Sequence, residues 1–317
     1  MDVSVDLESA LERLLGKKDW MRVFLAEEPQ PETSSASLRQ FMLAMRENEP
    51  MLAEFAVNLA DQIIGYCLPR KRVLKAIRNN SGNPNDLAAA MAALRRDARR
   101  AFQEYREEFP ARSGEGGELL AYAFTEYFLR APMAIAKMHT KTNTAMPVFG
   151  ADGVHLRYIP DTGHLEVLYL ESKVHAAIGS GARDAAKSMR DLLDGTQRGH
   201  ELRLALDFGN FDDMDEQAQQ ALEDFLDPYA GAKTADRRDR HVCLVAYSEP
   251  AYKSAASGAS MDEVRAQFGA RCVNRTTSVK RAYAEKNLPM EKITTYVVGF
   301  PSVAAFRREF ERALSNG

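Results

Sequence analysis

Asp152, Glu171 and Lys173 are the residues of this chain best placed to do chemistry, because they fall at one end of a predicted β-hairpin. Two β-rich runs, Val154 to Ile159 and Leu165 to Leu170, flank Pro160-Asp161-Thr162-Gly163, a composition that suits a tight turn. A two-residue loop of Asp161 and Thr162 sets a register in which partner numbers sum to 323. Tyr158 then faces Leu165, Leu156 faces Val167, Val154 faces Tyr169, and Asp152 lands opposite Glu171. Opposed residues share a face with Cβ atoms about 4.5 to 5.5 Å apart, and Lys173, two residues on, shares that face. The same register places Arg157 opposite Glu166 on the other face, an independent opposite-charge pair. A glycine bulge at Gly163 would shift every partner by one.

Two carboxylates held together in a folded core repel unless they are protonated or bridged by a cation, and hard oxygen donors suit magnesium or manganese. Such an ion activates water and neutralises charge that builds on a phosphorane-like transition state. A neighbouring lysine can orient or deprotonate the attacking water, or hold a phosphate oxygen as a point charge.

An acid on one strand and Glu-x-Lys at the end of the next, followed by a helix, resembles the PD-(D/E)xK nuclease core. More narrowly, the run from Gly150 to Tyr158 and the run from Leu165 to Val174 are similar to the HamA-type domain of the Hachiman anti-phage system. The similarity covers roughly the C-terminal two thirds of the chain and is strongest between Gly114 and Leu193. The resemblance implies a restriction-endonuclease-like α/β (α+β) fold, a mixed sheet flanked by helices. It also implies a Mg2+- or Mn2+-dependent deoxyribonuclease that acts beside a helicase partner, HamB, in bacterial defence. Carried over by position, Asp152 and Glu171 would be metal ligands and Lys173 the catalytic lysine. Many members of the wider group add a glutamate from the helix before the hairpin; Glu118 fits that place best, with Glu115 as runner-up. Ala151 stands where the motif's name has proline, a position that varies widely in the group.

A bare Asp and Glu-x-Lys pattern is common on exposed strands. Here Lys173 is the only lysine with an acid two residues before it, and that acid directly follows Leu165 to Leu170, which is apolar on both faces apart from Glu166. Such a strand is usually central and buried, where charged residues are seldom surface decoration. Competing readings are an ion pair that caps a central strand, and a nuclease-like module that binds DNA or the helicase without cutting.

The 317 residues suffice for one large or two modest domains, and 45% hydrophobic content is that of a globular chain. No apolar run approaches the roughly 20 residues that cross a bilayer, and the acidic start Met1 to Asp6 lacks the basic opening of a signal peptide. A cytoplasmic protein without membrane contact is expected. Cys67, Cys243 and Cys272 are odd in number and scattered, which argues against a disulfide framework or a zinc site. His155 is out of phase with Asp152 and should pack away from the acids, whereas His175 shares the parity of Glu171 and Lys173 and could contact phosphate.

The formal net charge of −3 is awkward for a protein that grips DNA, so any DNA face must be a local patch or belong to a partner. Basic runs occur at Pro69 to Lys75, Arg95 to Arg100 and Arg237 to Arg240; the bland reading of each is a solvated helix face or loop.

The elements that must position these residues divide into a helical N-terminal region, 1–112, and a nuclease-like domain, 113–317. Leu52 to Ile64 and Leu87 to Tyr105 follow helical spacing, and no hairpin signal appears before residue 110. Asn83-Pro84-Asn85-Asp86 starts the second helix, and Pro29 to Ser37 reads as a loop. After Arg112 to Gly117 come a helix through Leu120 and Phe128, a strand near Ala136 to Thr142, the hairpin, and a helix from Ala182 to Asp194 opened by Gly179-Ser180-Gly181. Those glycines suit a backbone approach to phosphate or a plain cap. Further strands are expected at Leu202 to Leu206, His241 to Tyr247 and Ile293 to Val298, with helices around Glu216 to Phe225 and Ala304 to Leu314. The acidic run Asp207 to Glu216 lacks calcium-loop spacing and reads as a loop and helix start.

Overall fold

The predicted hairpin and the predicted strands at His241 and Ile293 meet in one sheet in the computed structural model, which describes residues 6–28, 37–108, 114–136, 150–194, 197–227, 236–255 and 257–316. The chain opens with α1 (Leu7–Glu12), α2 (Trp20–Phe24), β1 (Leu25–Glu28), β2 (Ser37–Leu43) and the small β3 (Met45–Arg46) and β4 (Glu49–Pro50) pair. Helices α3 (Leu52–Ala60), α4 (Ile63–Cys67), α5 (Arg70–Asn80), α6 (Pro84–Glu108) and α7 (Glu115–Leu129) follow. Next come β5 (Gly153–Ile159), β6 (His164–His175), α8 (Ile178–Asp194), α9 (Gln197–Phe208), α10 (Glu216–Leu226) and β7 (Arg237–Ser248). The chain closes through α11 (Tyr252–Ala255), α12 (Met261–Ala270), α13 (Cys272–Glu285), β8 (Ile293–Phe300) and α14 (Val303–Asn316).

The six main strands lie in the order β1-β2-β8-β7-β6-β5. The inner pairings β2 with β8, β8 with β7 and β7 with β6 are parallel, and the two outer pairings are antiparallel. This is the mixed sheet flanked by helices that the resemblance implied. Strand alternation divides the core: Leu168, Leu170, Val242 and Leu244 pack under α3, α7 and α14, while Leu165, Val167, Tyr169 and Cys243 face the α8 to α10 side.

Several expectations need correction. The region before residue 110 contains β1 and β2, an antiparallel pair whose β2 runs parallel to β8 and extends the sheet. Ser37 to Leu43 is buried on nearly every residue, so no polar alternation marked it as a strand. Leu202 to Leu206 lies within α9, where Leu202 and Ala205 are buried at helical spacing. The stripe from Leu52 to Ile64 breaks into α3 and α4 at Asp61 and Gln62. Helix α8 starts at Ile178, which puts Gly179-Ser180-Gly181 inside its first turn. The predicted strand after Ala136 and the loop from Pro29 to Ala36 lie outside the described residues. Helices α6, α7, α10 and α14 and strands β7 and β8 fall where the residue pattern placed them, and Asp215 caps α10 by accepting from the Ala218 amide at 2.8 Å.

Candidate active site

The register of the β5–β6 hairpin is the one the residues predicted: Val154 pairs with Tyr169, Leu156 with Val167 and Tyr158 with Leu165. The last pair is Ile159 with His164, which leaves a four-residue turn, Pro160 to Gly163, instead of two. Gly163 closes it in the left-handed region, φ 67°, with its amide on the Ile159 carbonyl oxygen at 2.9 Å. Arg157 donates to Glu166 at 2.9 Å across the strands, as the register requires.

Strand β6 runs beyond its β5 neighbour. The final β5 pair is Gly153 with Leu170, whereas β6 continues against β7 to His175. One ladder side of β6 is therefore open from Glu171 onward, and Asp152 fills it. Its amide donates to the Leu170 carbonyl oxygen at 2.8 Å, and its Oδ2 accepts from the Ser172 amide at 2.7 Å and the Ser172 hydroxyl at 3.0 Å. Asp152 thus lies past the strand end with one oxygen turned to Ser172, so it does not simply face Glu171 across a ladder.

Glu171 and Lys173 project to the same side of β6 and form an ion pair. Burial raises the Glu171 carboxyl to about 8, the Asp152 charge adds to that shift, and Lys173 opposes it. For Lys173, burial resists the charge, but the Glu171 and Asp152 carboxylates outweigh it and hold the ammonium above its usual value. Asp152, Glu171 and Lys173 therefore share one electrostatic neighbourhood. Cys243, the β7 partner of Glu171, is a buried thiol pushed up to about 12 by desolvation.

Glu118 arrives from the opposite side of the sheet. Helix α7 lies close on β6, where a Cβ on Gly117 would come within 2.5 Å of Val174. Buried Glu118 accepts from the Tyr66 hydroxyl at 2.8 Å. Burial raises the Tyr66 pKa, then the Glu118 charge, with a smaller contribution from Asp152. Tyr66 of α4 thus links the two acids electrostatically. The Glu115 side chain lies outside the described residues.

Among the described residues no three His, Cys, Asp or Glu side chains are gathered closely enough to hold a metal ion as they stand. The donor chemistry nevertheless fits a hard divalent cation: two carboxylates share one low-dielectric neighbourhood, and a cation beside them would reverse the penalty on Glu171 ionisation. Asp152 and Glu171 are the residues that would hold it; Glu118, bonded to Tyr66 on the α7 side, forms no three-acid group with them among the described residues.

His155 is fully buried and turned away, its Nδ1 donating to the Ala131 carbonyl oxygen at 2.8 Å. His175 pairs with Asp184 of α8 at 3.1 Å. Residue spacing did not single out Ser172 or Tyr66. Ser172 is the middle residue of Glu-x-Lys, whose identity the motif leaves open, and Tyr66 lies 52 positions from its partner.

A six-stranded mixed sheet flanked by helices, in which β6 outruns β5 and carries Asp152, Glu171 and Lys173 at that step, defines an α/β protein. The HamA family model matches residues 19–314, and the chain belongs to that family. Membership makes it a component of Hachiman anti-phage defence. No curated protein matches the chain. Among the described residues no helix is long and apolar enough to cross a membrane.

Proposed function

We propose that this chain is the DNA-cutting component of its defence system, a Mg2+- or Mn2+-dependent deoxyribonuclease that works with a helicase subunit. The observation that carries this reading is the step at which β5 ends and β6 continues, where Asp152, Glu171 and Lys173 converge and burial disfavours the Glu171 charge. A bound divalent cation would supply Lewis-acid stabilisation of a phosphodiester undergoing hydrolysis. Asp152, anchored by Ser172, and Glu171 would bind that cation. Lys173 has its pKa raised, so at neutral pH it is a charged donor suited to orient water or a phosphate oxygen, and a poor proton acceptor. Tyr66 holds Glu118 by one hydrogen bond.

One observation favours a second reading. Asp152, Glu171 and Glu118 each bind a protein donor, and no three-acid cluster is closed among the described residues. A DNA- or helicase-binding module without cutting would show the same arrangement.

Digestion of linear and circular DNA separates the two, with the chain alone and with its helicase partner, with and without Mg2+ or Mn2+. The nuclease reading expects metal-dependent cutting, reduced at least ~10²-fold in Glu171→Gln and Lys173→Ala. Undiminished cutting by both folded variants removes that assignment. DNA binding without cutting under every metal and partner condition establishes the module instead.

A further inference from the structure

Helices α5 and α6 form an antiparallel hairpin that leans on the core along one side through half-buried Val73, Ala76 and Met91. No residue from Pro69 to Ala93 is buried, although both helices are regular. The hairpin is held at its base, where Leu94, Ala98 and Phe102 enter the core and Phe102 meets Phe310 at 5.8 Å between ring centroids. From Pro69 to Ala93 the hairpin adds half-buried contacts to the core and no fully buried side chain.

Its charge is the opposite of the molecule's. Residues 69–100 hold nine Lys or Arg against Asp86 and Asp97, a surplus of seven; the whole chain carries −3, so the remainder carries −10. Three of the nine cations are engaged: Arg70 with the Leu14 carbonyl oxygen, Arg72 with Asp97 and Arg95 with Asp61. Lys71, Lys75, Arg78, Arg96, Arg99 and Arg100 make no ion pair with any described residue. Lys71, Lys75 and Arg78 stand at i, i+4 and i+7, one exposed stripe of α5. Arg96 and Arg100 form an i, i+4 pair on α6, and the Arg72–Asp97 bridge adjoins both stripes. Partial burial and the neighbouring Arg95 charge hold Arg99 below the usual guanidinium value, a crowding that an anion would relieve.

The arm starts at the rim of the candidate site. Tyr66, which holds Glu118, is at the end of α4, and Pro69 leads straight into α5. With the remainder of the molecule strongly acidic, a polyanion approaching this site has one strongly attractive surface beside it.

We infer that the α5–α6 hairpin is the docking surface for the phosphate backbone of duplex DNA, an inference that rests on the nuclease reading. Such docking would read charge and not sequence, since contacts of lysine and arginine with phosphate oxygens position a duplex without discriminating its bases.

The test is duplex binding in the presence of a chelator, where no cutting occurs, followed across a salt series by fluorescence anisotropy. Wild type is compared with the triple variants Lys71→Glu/Lys75→Glu/Arg78→Glu and Arg96→Glu/Arg99→Glu/Arg100→Glu, and with the charge-preserving Lys71→Arg/Lys75→Arg/Arg78→Lys. Thermal melting confirms that each is folded. The inference expects each reversal to weaken binding at least about tenfold at low salt and to flatten log Kd against log salt by about one for every phosphate left without its cation, with the charge-preserving variant binding like wild type. Unchanged affinity and slope in both reversals overturn it. So does a loss seen only in a parallel titration with polyglutamate while duplex binding is unchanged, which would mark the arm as a surface for an acidic protein. The catalytic assignment is judged separately, by digestion with Glu171→Gln, so either claim can fail alone.

Discussion

Glu171 and His155 show how burial governs single residues of this molecule in opposite ways. Desolvation penalises whichever form is charged, so it raises the Glu171 carboxyl to about 8 and lowers the His155 imidazole to about 4. His241 is likewise lowered to about 4 by burial, then by the Arg198 and Lys292 charges. Both histidines are neutral in the fold, whereas in the unfolded chain they titrate near 6.5. Their stabilisation is fully present above about pH 6.5 and is lost as pH falls toward about 4. Each accounts for up to about 3 kcal/mol over that interval. Urea unfolding at a series of pH values is expected to show the midpoint falling between pH 6.5 and 4.5, and His155→Gln is expected to flatten that fall. A wild-type midpoint constant across the window would contradict neutral burial. The position of Asp152, Glu171 and Lys173 was legible in the residues because a hairpin register needs only local arithmetic. Ser172 and Tyr66 were not, because a strand's missing neighbour and a contact between α4 and α7 are products of tertiary assembly.

At the scale of elements, close approach decides where Glu118 stands. Gly116-Gly117 read in the sequence as the opening of a helix, and α7 does begin there. The sequence did not disclose that Gly117 lies on β6. A Cβ there would meet the branched Val174 side chain at 2.5 Å, a contact that requires helix or strand to move. Gly117→Ala is therefore expected to destabilise by about 1–3 kcal/mol despite alanine's better helix propensity, and to displace Glu118, the next residue, from Tyr66. Chemical denaturation reads the first effect and the cutting assay the second; a variant as stable and active as wild type would show that the interface has slack. The elements that were misread share a cause. Strand β2 is buried along most of its length, so it lacks the alternation that announces a strand, and the apolar residues of α9 are compatible with either period over five residues.

For the whole molecule, the decisive fact is that the N-terminal segment completes the sheet. Phe41 of β2 packs on Phe124 at 5.2 Å, Phe128 at 5.0 Å and Tyr296 at 6.2 Å between ring centroids, joining residues far apart in the chain. The neighbouring Gln40 is fully buried and donates to the Cys272 carbonyl oxygen at 3.0 Å and to Thr276 at 2.9 Å, while accepting from Arg275. Arg275 in turn donates to buried Glu249 at 3.1 Å. Removing residues 1–114 would expose the β8 edge, strip one side of the aromatic cluster and leave Arg275 without one of its acceptors. The piece 115–317 is therefore expected to lack a cooperative melting transition and to bind hydrophobic dyes. Phe41→Ala in the full chain probes the same packing more gently, at an expected cost of about 3–5 kcal/mol. A 115–317 fragment that melts sharply and stays monomeric would show that the sheet stands without β1 and β2. The helical N-terminal region would then be an attachment, not part of the frame that holds Asp152, Glu171 and Lys173 in place.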